Sequence, residues 1–113
     1  MIVEFDQQDD VFVLRFRGRL AGDHDREYLA AKWEEIKRLN RTKVLADLGG
    51  VPSIASMGIG FVVAIYTSVS NSGGRFVLVG ALPMVRKVFD LTRLSTVIPI
   101  APDFASALNR LHA

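Results

Sequence analysis

The segment Ile54-Ala55-Ser56-Met57-Gly58-Ile59-Gly60 puts a serine at the expected start of a helix that carries two early glycines. A serine hydroxyl is a phosphate acceptor. The first turn of a helix also leaves backbone N–H groups without acceptors, and the helix dipole favours an anion there. Ser56 is therefore a candidate phosphorylation site. Adding roughly two negative charges to an uncharged surface would turn a docking face from attractive to repulsive, or the reverse. Each interior glycine costs about 1 kcal/mol of helix propensity relative to alanine, so something must offset Gly58 and Gly60. Packing alone offers one account, in which the glycines let the helix approach a sheet and Ser56 caps it.

Few other residues are equipped for chemistry. The chain has no cysteine, which excludes disulfides, thiolate zinc sites and a thiol nucleophile. His24, read as a surface loop residue, and His112 are the only histidines; they are remote in sequence and lack clustered ligands, so no metal site is expected. No Ser/His/Asp order and no phosphate-cradling P-loop occurs, and Gly58-Ile59-Gly60 lacks the third glycine of a dinucleotide fingerprint. The expectation is a protein that is not an enzyme and carries no cofactor. Fourteen Lys plus Arg against 12 Asp plus Glu leave a formal charge of +2, so the pI of 9.3 reflects two surplus bases. Nucleic-acid binding needs clustered cations on one face. Here the signs interleave, and the row Arg15, Arg17, Arg19 reads as a solvated strand face.

These residues must be positioned by a chain of 113 residues, half of them hydrophobic, which suffices for one core and hence a single domain over 1–113. Glu4 and Asp6 stand where a signal peptide needs bases, so a cytoplasmic location is expected. Gly49 to Gly74 carries no charge and exceeds the roughly 20 residues of a membrane helix. Gly49, Gly50, Pro52, Ser53, Ser56, Gly58, Gly60 and the polar Thr67–Ser72 interrupt it, however. What remains, Met57–Tyr66, suits a buried helix, and no membrane insertion is expected.

Val3 and Phe5 alternate with Glu4 and Asp6, Gln7–Asp10 reads as a turn, and alternation resumes from Val11 to Leu20. Phe12, Leu14, Phe16 and Leu20 share one face and the three arginines the other, which predicts a hairpin with one wet face. Asp23 or Asp25 is placed to cap a helix bearing Leu29, Trp33 and Ile36. Lys43–Leu48 and Arg75–Val79 are apolar on both faces, the mark of a parallel sheet covered by helices. Between them the helix Met57–Asn71, stopped by Gly73-Gly74, makes a strand-helix-strand crossover. Pro83 opens another helix, with Met84, Val88 and Leu91 on one stripe and Val85 and Phe89 beside it. Val97–Ile100 reads as a last strand, and Pro102-Asp103 restarts a helix with Phe104, Leu108 and Leu111 inward. The fold class is α/β: an N-terminal β-hairpin followed by alternating helices and strands in a mixed sheet.

The order Lys43-Val44-Leu45-Ala46-Asp47-Leu48, then Ile54 to Gly60, then Phe76-Val77-Leu78-Val79-Gly80 resembles the STAS domain of bacterial anti-sigma factor antagonists. The likeness continues through Val85-Arg86-Lys87-Val88-Phe89, Leu94 and Ile98-Pro99-Ile100 to Ala105-Ser106-Ala107-Leu108. In that family the loop before the second helix reads roughly Asp-Ser-Ser/Thr-Gly-Leu-Gly, and a partner kinase that also binds the sigma factor phosphorylates its first serine. The resemblance lays that acceptor on Ser56 and the glycines on Gly58 and Gly60. Ala55 stands at the aspartate position and Met57 at the second hydroxyl. After Gly18-Arg19-Leu20, where the family usually has an acid, this chain has Ala21, with Asp23 the nearest carboxylate.

The resemblance implies a regulatory module that binds an anti-sigma factor serine kinase and so frees a sigma factor. Its contact residues would be Asp23, Ala55, Ser56, Met57, Gly58 and Gly60, beside a helix face kept polar but uncharged by Thr67, Ser68, Ser70 and Asn71. Phosphorylation of Ser56 would switch it, and a phosphatase would reset it. Two alternatives come from other classes. One is a constitutive accessory subunit of an ABC-type transporter or signalling assembly, which the absent carboxylates suit. The other is a small-ligand sensor whose pocket, by the helix entrance, is lined by Met57, Phe61 and Met84, with Phe61 reading better as core.

Overall fold

The computed structural model describes residues 2–19 and 26–112. β1 (Ile2–Gln8) and β2 (Val11–Arg17) form an antiparallel hairpin. Its two-residue turn sets Asp9 at φ 54°, a left-handed conformation that aspartate tolerates better than most side chains. There follow α1 (Arg26–Leu39), β3 (Lys43–Gly50), α2 (Ser56–Asn71), β4 (Arg75–Val79), α3 (Pro83–Leu91), a 3₁₀ turn at Leu94–Thr96, β5 (Ile100–Ala101) and α4 (Phe104–His112). The strands lie in chain order, and β2 to β5 are mutually parallel.

That order dictates the layers. Each crossover from β2 onward steps one strand further in the same direction, and crossovers are right-handed, so all three must cover the same face. Leu29 and Ile36 of α1, Val62, Ile65 and Val69 of α2, and Val85 and Phe89 of α3 accordingly pack on the side of the sheet that carries Phe12, Leu14, Phe16, Val44, Ala46, Leu48, Phe76 and Leu78. The other side is covered by α4, where Ala107 and Leu111 meet Val11, Val13, Leu45, Val77 and Val79.

α2 ends as the glycines predict. The Gly73 N–H donates to the Ser70 carbonyl at 3.0 Å and the Gly74 N–H to the Val69 carbonyl at 2.9 Å. With Gly73 at φ 78°, this is a Schellman closure. A Cβ on Gly74 would lie 2.5 Å from the Thr42 carbonyl oxygen, so the crossover can turn this tightly only with glycine. Among the described residues no helix is long and apolar enough to cross a membrane.

Two expectations are corrected, and the choice between the two stripes of α3 is decided. The hairpin is not wet along one whole face. Val11 and Val13 are fully buried because α4 covers them. Along β1 the face stays wet at Glu4, Asp6 and Gln8, and on β2 it is solvated only at the far end, where Arg15 pairs with Asp6 at 2.7 Å and Arg17 with Glu4 at 2.9 Å. In α3 the stripe Met84, Val88, Leu91 does not face the core: Met84 and Leu91 are 69% and 73% exposed, while Val85 and Phe89 are fully buried. The last strand is Ile100–Ala101, not Val97–Ile100. The amides of Val97 and Ile98 both donate to the Leu94 carbonyl, which engages them in the 3₁₀ turn and withholds them from the ladder.

Two predictions test this packing. Phe89→Ala should cost about 3–5 kcal/mol, whereas Leu91→Ala, two residues on, should stay within about 0.5 kcal/mol, as read from urea unfolding midpoints. Acid should also loosen the hairpin. The side-chain hydrogen bond from Arg15, then the Gln7 amide, holds Asp6 below the usual carboxylate range, and the side-chain hydrogen bond from Lys43 does the same for Asp10. A carboxylate lowered in the folded state adds stability above its unfolded pKa and loses it as the pH falls through the folded value. The midpoint should therefore drop as the pH falls below about 4, and Asp6→Asn with Asp10→Asn should flatten that slope.

Candidate functional site at the entrance of the second helix

The site is built where the parallel strands end, the pole at which open α/β sheets bind their partners. At the end of β3 the Asp47 carboxylate accepts the Gly49 N–H at 2.8 Å, and the Val51 N–H donates to the Leu48 carbonyl at 3.0 Å. Neighbouring strand ends are drawn against this turn. The Gly18 N–H, just beyond β2, donates to the Gly50 carbonyl at 2.9 Å. Beyond β4, a Cβ on Gly80 would sit 2.9 Å from Asp47 Oδ1, and Gly80 has φ 76°. Val51 is buried, and Ile54 and Met57 pack against the core, which pins both ends of the loop that leads into α2.

Among the described residues no side chain caps the helix entrance. Ala55, extended at φ −121° and ψ −178°, is the N-cap residue and offers no side-chain hydrogen bond. The cap expected of Ser56 is thus corrected: the helix starts at Ser56, one residue too late for its hydroxyl to serve as the N-cap. The first helical bond runs from the Ile59 N–H to the Ala55 carbonyl at 3.0 Å, so the amides of Ser56, Met57 and Gly58 lack acceptors within the helix. No acidic side chain lies in this first turn. α4 shows the contrast, for there the Asp103 carboxylate accepts the Ser106 N–H at 2.8 Å.

Ala55 and Ser56 are exposed, Met57 is half-buried, Gly58 is buried and Gly60 is exposed. A Cβ on Gly60 would meet nothing within 4 Å among the described residues, so close packing on the sheet does not explain that glycine. From Ser56 to Asn71 the helix bears no charge, and Thr67, Ser70 and Asn71 are exposed. Asp23 lies outside the described residues. Beside the entrance, Arg26, Leu29, Ala30 and Trp33 of α1 and Met57, Phe61 and Ala64 of α2 line a groove of about 220 Å³. Phe61 is buried in the core, whereas Met84 is on α3 and takes no part in the groove. The residues that sequence reasoning missed are Asp47 and Gly80. Their available signal was an acid closing the apolar run Val44–Leu48 just before two glycines.

A sequence profile of the STAS domain matches residues 3–107. The chain belongs to the STAS domain family. A Thermotoga maritima protein provisionally assigned as an anti-sigma factor antagonist is 32% identical over 106 residues, covering 92% of each chain. Among solved STAS-like structures, the crystal structure of a provisionally assigned anti-sigma factor antagonist from the same organism superposes with a TM-score of 0.89 at 27% identity, covering 98% of this chain and 95% of that one. The phosphorylated form of the Bacillus cell fate determinant SpoIIAA superposes at 0.69 with 22% identity, covering 96% and 98%; this last likeness concerns the fold alone.

The uncapped entrance makes three substitutions informative. Ala55→Asp supplies the missing cap and should stabilise by about 1 kcal/mol. Gly60→Ala should stabilise by about 0.5–1 kcal/mol, since its Cβ has room and its backbone is helical. Gly80→Ala should destabilise, because φ is positive there and its Cβ would strike the Asp47 carboxylate. Thermal unfolding of the three variants reads all of these signs.

Proposed function

We propose that this chain is an anti-sigma factor antagonist that works by binding, not by catalysis. In its unmodified state it engages an anti-sigma factor serine kinase through Asp23, Ala55, Ser56, Met57 and Gly60, with Gly58 shaping the turn from within. Its binding frees a sigma factor. The observation that carries this reading is the uncapped, uncharged entrance of α2 with the Ser56 side chain exposed at it.

Phosphorylation of Ser56 ends the complex. The Ser56 oxygen forms a bond to the γ-phosphorus of ATP as the bond to ADP breaks, and the hydroxyl proton passes to the kinase. The product carries a charge of about −1.5 to −2 on a helix with no cation of its own. A phosphatase then restores the docking face. The relative named as an anti-sigma factor antagonist supports the antagonist role, and SpoIIAA, which shares the fold, has been solved in a phosphorylated form.

The groove between α1 and α2 favours one second reading, a small-ligand sensor. Its lining is largely apolar and it includes Met57, next to Ser56. Co-purification of an apolar ligand that Trp33→Ala abolishes would select it.

The primary reading is tested by incubating the protein with its cognate kinase and ATP. Wild type should gain one phosphoryl group by mass and Ser56→Ala none; an unmodified wild type, or an equal gain on the variant, overturns it. Ser56→Asp should weaken kinase binding at least about tenfold. The same substitution should raise helix stability by about 0.3–1 kcal/mol through the dipole, so weaker binding cannot be ascribed to unfolding.

A further inference from the structure

At the pole of the sheet opposite Ser56, β4 is only half covered. β5 pairs with Leu78 and Val79, and among the described residues the outer edge of β4 from Arg75 to Val77 has no strand beside it. The amides of a strand alternate in direction. The Arg75 N–H donates to the Thr42 carbonyl on the β3 side at 2.6 Å, and the Leu78 N–H to the Pro99 carbonyl on the β5 side at 2.9 Å. The Phe76 N–H therefore points, like that of Leu78, toward the uncovered edge.

Tyr66 and Ser70 of α2, Arg75 and Phe76 of β4, Pro99, and Arg110 of α4 line a pocket of about 300 Å³ at this place, within the range used for small ligands. Arg75 Nη1 donates to the Arg110 carbonyl at 3.2 Å, which ties two walls together. Among the described residues neither arginine has a carboxylate partner. Asp10, at the same end of the sheet, is already held by Lys43 at 2.6 Å. Some of the helix carbonyls at this pole are also engaged. Those of Ser68, Val69 and Ser70 accept the amides of Ser72, Gly74 and Gly73, and that of Arg110 accepts Arg75. Arg75, Arg110 and the outward Phe76 amide thus border a pocket whose other walls include an aromatic ring and a proline.

We infer that this pocket binds a small molecule with one oxyanion head, carboxylate or phosphate, on a flat apolar body. The head sits between Arg75, Arg110 and the Phe76 amide, and the body lies against Tyr66 and Pro99. Planar guanidinium forks match both head groups. Ser56 is about 21 Å of helix away from Ser70, so this site stands independently of the role assigned to Ser56.

The test is an amide NMR titration of the full chain with phenylacetate, phenyl phosphate and the uncharged benzyl alcohol. The two anions, or one of them if the pocket distinguishes head groups, should give saturable shifts at Arg75 and Phe76. Benzyl alcohol should bind at least about tenfold more weakly, and Arg75→Gln with Arg110→Gln should weaken the anion by at least about tenfold. Arg110→Gln alone, on an exposed face of α4, preserves the test should the double variant fail to fold; it should weaken the anion measurably while leaving the rest of the spectrum in place. Absence of saturable shifts with both anions, equal binding of benzyl alcohol, or affinity unchanged in the arginine variants overturns the inference. Ser56→Ala should bind the anion as wild type does, which separates this outcome from any result on phosphorylation.

Discussion

Burial of the central strands on both faces is the constraint from which the rest follows. Val44, Ala46 and Leu48 of β3 enter the core under α1, α2 and α3, while Leu45 enters the one under α4. A strand apolar on both sides cannot sit at a solvated edge or in a one-sided sheet, so helices must flank it, and parallel neighbours are the arrangement that supplies them. With the strands in chain order, each crossover helix begins where a strand ends, at one shared pole. The position of the α2 entrance is thus a consequence of core formation. The loop from Gly49 to Ala55 only refines it, through the Asp47 carboxylate and the glycines that let three strand ends approach.

Given that position, the local chemistry of the entrance departs from what helix stability alone would select. α3 opens on Pro83 at its first turn and α4 on the Asp103 cap. α2 opens on alanine, has no acid in its first turn, and carries an exposed glycine whose Cβ would meet nothing among the described residues. Cap and glycine together forgo about 2 kcal/mol. Burial of Phe61, Val62, Ile65 and Val69 more than offsets this. Departures from local preference that have no packing cause mark functional surface, and here two of them lie within five residues of an exposed serine.

The sequence exposed some of this and concealed the rest for physical reasons. The two-sided apolarity of Lys43–Leu48 and Arg75–Val79 is a local property, so the parallel core and the crossover through α2 were readable, as was the glycine stop at Gly73-Gly74. The burial of Val11 and Val13 was not. The arginines further along the same face read as a wet surface, and the helix that covers the valines comes nearly a hundred residues later in the chain. α3 offered two apolar stripes of equal period, and only tertiary packing chose Val85 and Phe89 over Met84 and Leu91. Ser56 could be singled out by residue type and neighbours. Whether it would cap the helix turned on a one-residue boundary, the least certain feature of any helix read from sequence. Asp47 looked like the end of an apolar run because its partners, Gly49 and Gly80, reach it only when the strand ends meet.

The proposed switch has an energetic consequence that separates it from regulation by unfolding. A phosphoryl group on the first residue of α2 lies within reach of amides that lack acceptors, and at the positive end of the helix dipole, so it strengthens the element that bears it. The modified protein is then at least as well folded as the unmodified one. Loss of the partner must come from the surface itself. α2 has no lysine or arginine to neutralise the new charge internally, and at physiological salt that charge is felt for about 8 Å into solvent, a distance that spans a protein interface. In the proposed switch, an uncharged first turn of α2 would therefore let one modification reverse the sign of an encounter while leaving the fold beneath it intact.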